Sequence, residues 1–389
     1  MLNISFLFLV LLLGVALFVI YKKGADVWLP NRLANPAKKL VSGKKHLVLA
    51  FVDHFEPMYG RVDLSTENER VRLWHEEYPQ FAKQFVDSNG NHPKHTFFYP
   101  EEEYREEHLD KIAEICRQNL GEIEIHLHHD HDTEAGLREK IDRFTKILHK
   151  EHGALSVDPV TGKPVFAFIH GNWCLDNSGH DGNGCGVDNE LIVLSDLGCY
   201  ADFTFPSAPS RTQPRQSNSI FYATDDPIAP KSYDHGTPVK VGGQAGGDLM
   251  LIQGPLGLNW SWRKFGIFPR LDNSDVRTSC PTLKERIDFW IKQNIHVEGR
   301  PEWIFVKLHT HGTQERDKEA LFGPLHDQMY RYLTEEYQTR NGWDLHYVSA
   351  REMYNIVKAA EAGKTGSPNA YRDFVLPKPT FLRSSRGRV

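Results

Sequence analysis

Glu122–Asp132 reads EIEIHLHHDHD: apolar residues alternate with polar ones and the run ends in a cluster of imidazoles and carboxylates. Period-two alternation is the signature of a strand, on which residues two apart share a face. His126 and His128 therefore point the same way. His126 also sits within an apolar run, where an unpaired imidazole is costly. Two imidazoles on one face plus a carboxylate from another strand suit Zn²⁺ or a similar divalent ion. Asp53 is the expected third ligand, with Asp130 or His54 in reserve. His129 and His131 are read as supporting or surface groups.

Outward from this run, apolar stretches alternate with helix-periodic ones. Strands are predicted at His46–Val52, His95–Tyr99, Glu122–His128, Val165–Ile169, Ala201–Phe205, Asp248–Gln253, Trp303–His309 and Leu345–Val348. Helices are predicted at Glu67–Val86, Glu106–Gln118, Glu134–His152, Asn189–Leu197, Thr282–Gln293, Lys318–Thr339 and Ala350–Ala360. Repeated βα order implies a parallel sheet with helices outside. Seven or eight strands suggest an α/β fold of the (β/α) barrel type, complete or distorted. Gly- and Pro-rich stretches at 171–188 and 206–247 are read as long loops over the strand ends, a length that usually marks function.

In a parallel barrel the site lies at the C-terminal ends of the strands. Five predicted strands finish there in ionisable groups. The first runs into Asp53, His54 and Glu56, the second into Glu101, Glu102 and Glu103, and the third into the His cluster. The fourth runs into His170, Asn172 and Trp173, and a late one into His309 and His311. Asp53 or Glu56 is the candidate base. His309 or His311 is the candidate acid, since imidazole titrates near neutrality. His170, Asn172 and Trp173 are candidates to line a substrate groove, with a backbone N–H near Asn172–Trp173 as an oxyanion donor. Trp260 and Trp262 are weaker candidates for a sugar-stacking surface, and Asp202 is read as structural.

The chain has 389 residues, 25% of them charged, a net charge of −5, twenty His and eight Trp. Nothing in that balance points to nucleic acid. Five Cys without a CxxC pair argue against a disulfide framework, leaving a Cys174–Cys185 bridge as the one open pairing. Ile4–Tyr21, ISFLFLVLLLGVALFVIY, is uncharged and close to the length that spans a bilayer. It lacks a basic n-region and an A-x-A site, so a single-pass anchor over residues 1–23 is expected rather than a cleaved leader. Lys22, Lys23, Arg32, Lys38, Lys39, Lys44 and Lys45 follow it, and the positive-inside rule then places the body in the cytoplasm. Residues 24–45 read as a basic linker, with Pro30 and Pro36 opposing a continuous helix. The barrel spans 46–362 and a tail covers 363–389.

At these residues the chain resembles the NodB-like polysaccharide deacetylases. That family's first motif is a strand ending in paired acids, and LAFVDHFEP (Leu49–Pro57) stands in that place. Its Glu-Ile-x-x-His motif is matched by Glu122-Ile123-Glu124-Ile125-His126-Leu127-His128. LSDLGCYADFTFP (Leu194–Pro206) is similar to its Leu-Gly-Tyr-x-x-Asp stretch, and Val306–His309 to its final Leu-His strand. The similarity covers roughly residues 46–355. Three departures stand out: the paired Asp becomes Val52-Asp53 or Asp53-His54, the second metal His falls on Asp130, and His170-Gly171-Asn172-Trp173 replaces Arg-Pro-Pro-Tyr.

The resemblance implies a metal-dependent hydrolase that removes acetyl groups from a polysaccharide or lipid-linked glycan. Asp53, His126, His128 and Asp130 would be ligands, and Asp53, Glu56, His309 and His311 would handle protons. Two alternatives are carried: a glycan-binding or assembly protein without catalysis on the same barrel, and a metal-independent glycoside hydrolase using two carboxylates.

Overall fold

The computed structural model describes Leu11, Gly14, residues 18–338 and residues 342–382. The strands are β1 (Lys45–His54), β2 (His95–Pro100), β3 (Gly121–Leu127), β4 (Ser156–Val157), β5 (Pro164–His170), β6 (Cys199–Asp202), β7 (Ile220–Ala223), β8 (Thr237–Pro238), β9 (Leu249–Ile252), β10 (Gly257–Lys264), β11 (Phe268–Asp272), β12 (Trp303–Thr310) and β13 (Trp343–Val348). The helices are α1 (Ala25–Ala34), α2 (Leu64–Ala82), α3 (Glu106–Arg117), α4 (Glu134–Lys150), α5 (Glu190–Asp196), α6 (Lys284–Lys292), α7 (Lys318–Phe322), α8 (Pro324–Leu333) and α9 (Ala350–Glu361). All eight predicted strands and all seven predicted helical regions are present. The helix expected over Lys318–Thr339 is broken at Gly323–Pro324, where proline starts a new helix.

The main sheet is mostly parallel and runs β12–β1–β2–β3–β5–β6–β9–β7–β8. β12 pairs with one edge of β1. The other edge is shared, β13 taking Lys45–Ala50 and β2 taking Phe51–His54. β7 runs antiparallel to β9. Among the described residues no ladder joins β12 to the far end of the sheet, so the closed barrel is replaced by an open, mostly parallel sheet. One side chain spans the gap, Lys307 Nζ donating to Phe203 O at 2.8 Å.

Strand parity sorts the core into two layers. Val48, Ala50 and Val52 pack with Ala167, Ile169, Ala201, Phe203, Met250 and Ile252 on the inner side of the sheet. Leu47, Leu49 and Phe51 face the other way, against α2 and α3 through Trp74, Leu109 and Ile112. Burial on both faces is the usual condition of parallel strands. Helix starts are capped: Asp63 accepts from Thr66 N, and Ser349 and Glu352 form a reciprocal capping box on α9.

The N-terminal expectation is corrected. Residues 1–23 lie mainly outside the described residues, and among the described residues no helix is long and apolar enough to cross a membrane. The single-pass reading is overturned on that finding. α1 is helical where a linker was expected; it has ten residues and carries Asp26, Pro30 and Arg32. Trp28 is buried beside Ala208 and Leu256, and Asp26 pairs with Arg211. The stretch 206–247 also contains β7 and β8, and β10 with β11 forms a hairpin.

The segment after α9 lies against the body. Arg372 pairs with Asp87 and Glu352, and Arg351 binds Glu122, Asp373 and the carbonyl of Leu376. Arg351 and Glu122 are both enclosed. Removing one member of such a pair strands the other charge, at a cost of about 3–5 kcal/mol. Arg351→Met should therefore lower the unfolding free energy from urea titration by that order and shift the midpoint down, and adding Glu122→Gln should restore part of it. An unchanged midpoint in the single variant would show that the pair carries none of the stability.

Candidate functional site

β1 ends at His54, and the chain turns back so that Glu56 lies over the inner side of the sheet at its C-terminal rim. Three imidazoles meet its carboxylate. His126 Nε2 and His128 Nε2 stand 3.3 and 3.1 Å from Oε1, and His311 Nδ1 is 3.3 Å from Oε2. His126 and His128 come from the end of β3 and His311 from just beyond β12. The shared face inferred from their two-residue spacing is what brings both rings to one oxygen.

The other nitrogens of these rings are committed. His126 Nδ1 is 2.9 Å from Ile169 O, and His128 Nδ1 is 2.5 Å from Glu102 Oε1. A neutral imidazole has one proton, and a carbonyl oxygen can only accept it. His126 Nε2 then presents a lone pair to a carboxylate oxygen, an arrangement that a cation between them relieves. The 3.1–3.3 Å separations match the edge of a tetrahedron built from bonds of about 2.0–2.1 Å. An outer carboxylate or carbonyl on the far ring nitrogen is the usual support of a metal-bound histidine. Gly171 admits the His128 ring, because a Cβ there would lie 2.3 Å from His128 Cδ2.

His54 stands beside this group. Its ring lies 4.5 Å from that of His311, 4.8 Å from His126 and 4.9 Å from Trp173. Neither His54 ring nitrogen has a hydrogen-bond partner among the described residues. Trp173, at φ 63°, stacks on His54 and meets His309 edge-on at 5.4 Å. Of the three expected groove residues, only Trp173 borders the group.

Charge follows from this packing. Burial opposes ionisation of Glu56, but His128 and His311 outweigh it and hold the carboxyl well below 4.5. Burial likewise opposes His128, yet Glu102 and Glu56 raise it to about 10. Burial, then His311 and His126, push His54 well below 6.5; burial, then Lys307 and His311, do the same to His309.

Several expected residues are elsewhere. Asp53 follows Leu47, Leu49 and Phe51 to the helix side, where it accepts from Gly312 N at 2.6 Å and faces His95 Nε2 at 2.9 Å. Strand parity, not distance along the chain, removes it from the cation group, and Glu56 stands in its place. Asp130 points outward and accepts from Gly184 N. His170 is buried under the rim, 3.8 Å from Glu190. The side-chain amide of Asn172 ties the carbonyls of His129 and Gly184 together. The backbone N–H groups of Asn172 and Trp173 both bond to His170, so neither is free as an oxyanion donor. Glu101 pairs with Arg143, and all five cysteines are free. Trp260 is exposed on the β10–β11 hairpin, and Trp262 packs against the guanidinium groups of Arg270 and Arg286.

Three groups among the described residues could hold a metal ion. One is His54, Glu56 and His126, which shares Glu56 and His126 with the group just described and includes His54 in place of His128. A second, His129, His170, Cys185 and Glu190, is wholly buried. The third, His46, Asp344 and His346, lies at the opposite end of β1, where His46 and His346 are joined directly at 3.0 Å. Sequence reasoning missed Cys185 and Glu190; the only signal was an acid opening an otherwise apolar helix. No protein-family model matches the chain, and no curated protein matches it.

The raised value of His128 has a definite sign. In metal-stripped protein its contribution to stability is complete below pH 6.5 and is lost as the pH rises through about 10. Urea midpoints of chelator-treated protein should therefore fall between pH 7 and pH 10, and fall less in His128→Asn. Identical slopes for the two proteins would refute the pairing with Glu56 and Glu102.

Proposed function

We propose that the protein is a metal-dependent hydrolase that removes acetyl groups from a polysaccharide or related glycan. One observation carries the reading: two imidazoles from the end of β3 converge on one oxygen of Glu56. Two histidines and one glutamate are a donor set used by zinc hydrolases, with a coordination position left for water or substrate. Zinc is accordingly the ion proposed for Glu56, His126 and His128. Such an ion polarises a carbonyl and lowers the pKa of bound water.

The remaining roles fall to the chain's own side chains. His311 contacts the second oxygen of Glu56 and keeps part of its surface open, which places its ring to take a proton from water and pass it to the departing group, with His54 packed behind it. Trp173 covers His54 and offers an apolar wall to a sugar ring. His309, edge-on to Trp173, holds that wall in position.

The glycan and the acetyl group are drawn from the resemblance of Leu49–Pro57, Glu122–His128, Leu194–Pro206 and Val306–His309 to the deacetylase motifs. On the same ground we read the sheet as a distorted (β/α) barrel, opened beside β12. Support comes from eight parallel strands with ionisable groups at one rim and from the Lys307–Phe203 contact across the opening. Two of the carboxylates expected for the glycoside hydrolase alternative, Asp53 and Glu101, are engaged away from Glu56.

Purified protein should release acetate from acetylated glycan oligomers, such as N-acetylglucosamine oligomers. His126→Ala should remove the metal from this centre and lower release at least a hundredfold, while the circular dichroism spectrum stays unchanged. His311→Asn should keep the metal and lose most of the rate. Metal bound and oligomers bound without acetate release would point to a glycan-binding protein instead, and unchanged metal content in His126→Ala would refute the centre.

A further inference from the structure

The rim holds a second, closed cluster. His129 follows β3, His170 ends β5, Cys185 lies in the Gly-rich stretch, and Glu190 opens α5. The ligand atoms of all four lie within 4.8 Å of one another, and all four residues are buried. Glu190 is at their centre. Its Oε1 is 3.0 Å from His129 Nε2 and 3.8 Å from His170 Nε2, and its Oε2 is 3.4 Å from Cys185 Sγ. Among the described residues His170 Nε2 has no hydrogen-bond partner although it is fully enclosed.

We infer that these four residues form a second, structural zinc site. Four protein donors of N, S and O type with no open position are the mark of a structural rather than a catalytic site. Closing the side chains by about 1 Å brings the separations to those set by bonds of about 2.0–2.3 Å. The charges balance: a thiolate and a carboxylate offset Zn²⁺, and both imidazoles are neutral. The Cys185 thiol gives up its proton to solvent as its sulfur binds the ion, with no change of oxidation state.

The surroundings fit that assignment. His129 Nδ1 faces Asp132 Oδ2 at 3.3 Å, which leaves Nε2 for the ion, and Lys140 holds Asp132. Ligation through His170 Nε2 puts the ring proton on Nδ1, so its 3.2 Å contact with the Asn172 N–H has to open when the ion enters. The backbone is already joined across the site, Asp132 N donating to Cys185 O at 2.8 Å. Gly186 permits that approach: it has φ +103°, and a Cβ there would lie 2.5 Å from Asp132 N. An ion here pins the long 171–188 loop, and with it Trp173, to β3, β5 and α5. This role is separate from the Glu56 centre, which contains no sulfur.

The difference in donors gives the test. Full-length protein loaded with Co²⁺ should show a thiolate-to-cobalt charge-transfer band in the near ultraviolet. Cys185→Ser should lose the band, while Cys174→Ser and Glu56→Gln should keep it. Should the serine variant fail to fold, Cys185→His supplies another donor and should retain the metal equivalent while losing only the band. Cobalt-loaded wild-type protein without the band, or a band that survives loss of Cys185, overturns the site. The cluster would then be an imidazolium–carboxylate network without an ion.

Discussion

Glu56 and Glu190 are carboxylates from which water is almost wholly excluded, at 4% and 0% exposure. Burying an ionised carboxylate costs several kcal/mol unless positive charge or hydrogen bonds surround it. For these two carboxylates the parallel sheet meets that condition at its C-terminal rim. Its strands share a direction, so their last residues arrive together at a single rim. His126 on β3, His170 on β5 and His311 beyond β12 are far apart in the chain and neighbours there for that reason. An antiparallel sheet of the same length would have divided them between two ends.

Direction and parity were not equally readable. The eight parallel strands follow from apolar runs bounded by turn residues, and their polar endings mark the rim. Which face each polar residue takes depends on where its strand stops, and an error of one residue reverses the answer. β1 stays regular through His54, so Asp53 keeps the outward face of Phe51 and meets His95, while His54 turns inward. The residue after a strand is freer still. Glu56 reaches the pocket through a turn that no periodicity describes. Loop residues were the least legible: Cys185 and Glu190 are near in sequence, but their link to His129 and His170 exists only once β3 and β5 are paired. The hairpin of β10 and β11 was hidden for another reason, since its exposed Trp260, Phe265 and Phe268 break the alternation that announces a strand.

His128 and His129 show what the end of β3 contributes. The two residues that follow β3 send their rings into different clusters. His128 turns to Glu56 and Glu102; His129 turns to Glu190 and Asp132. The two groups therefore share a backbone. Any shift of this segment that relaxes one cluster moves the other, and Asn172, bonded to the carbonyl of His129, couples the loop bearing Trp173 to the same point.

The clusters differ in access, and access separates their chemistry. The His128 and His311 side chains keep 31% and 23% of their surface, whereas those of His129 and Glu190 keep none. A substrate can approach only the first pair. Enclosed donors can hold an ion or a proton but cannot exchange a reactant, so their effect on chemistry has to pass through geometry. The path is short: Glu190 accepts from Asp176 N, and Asp176 lies three residues beyond Trp173. Trp173 sits in the left-handed region, where a residue of its bulk is strained without a frame around it. The buried cluster supplies that frame, and the ring it holds in place is the one that covers His54 at the open site.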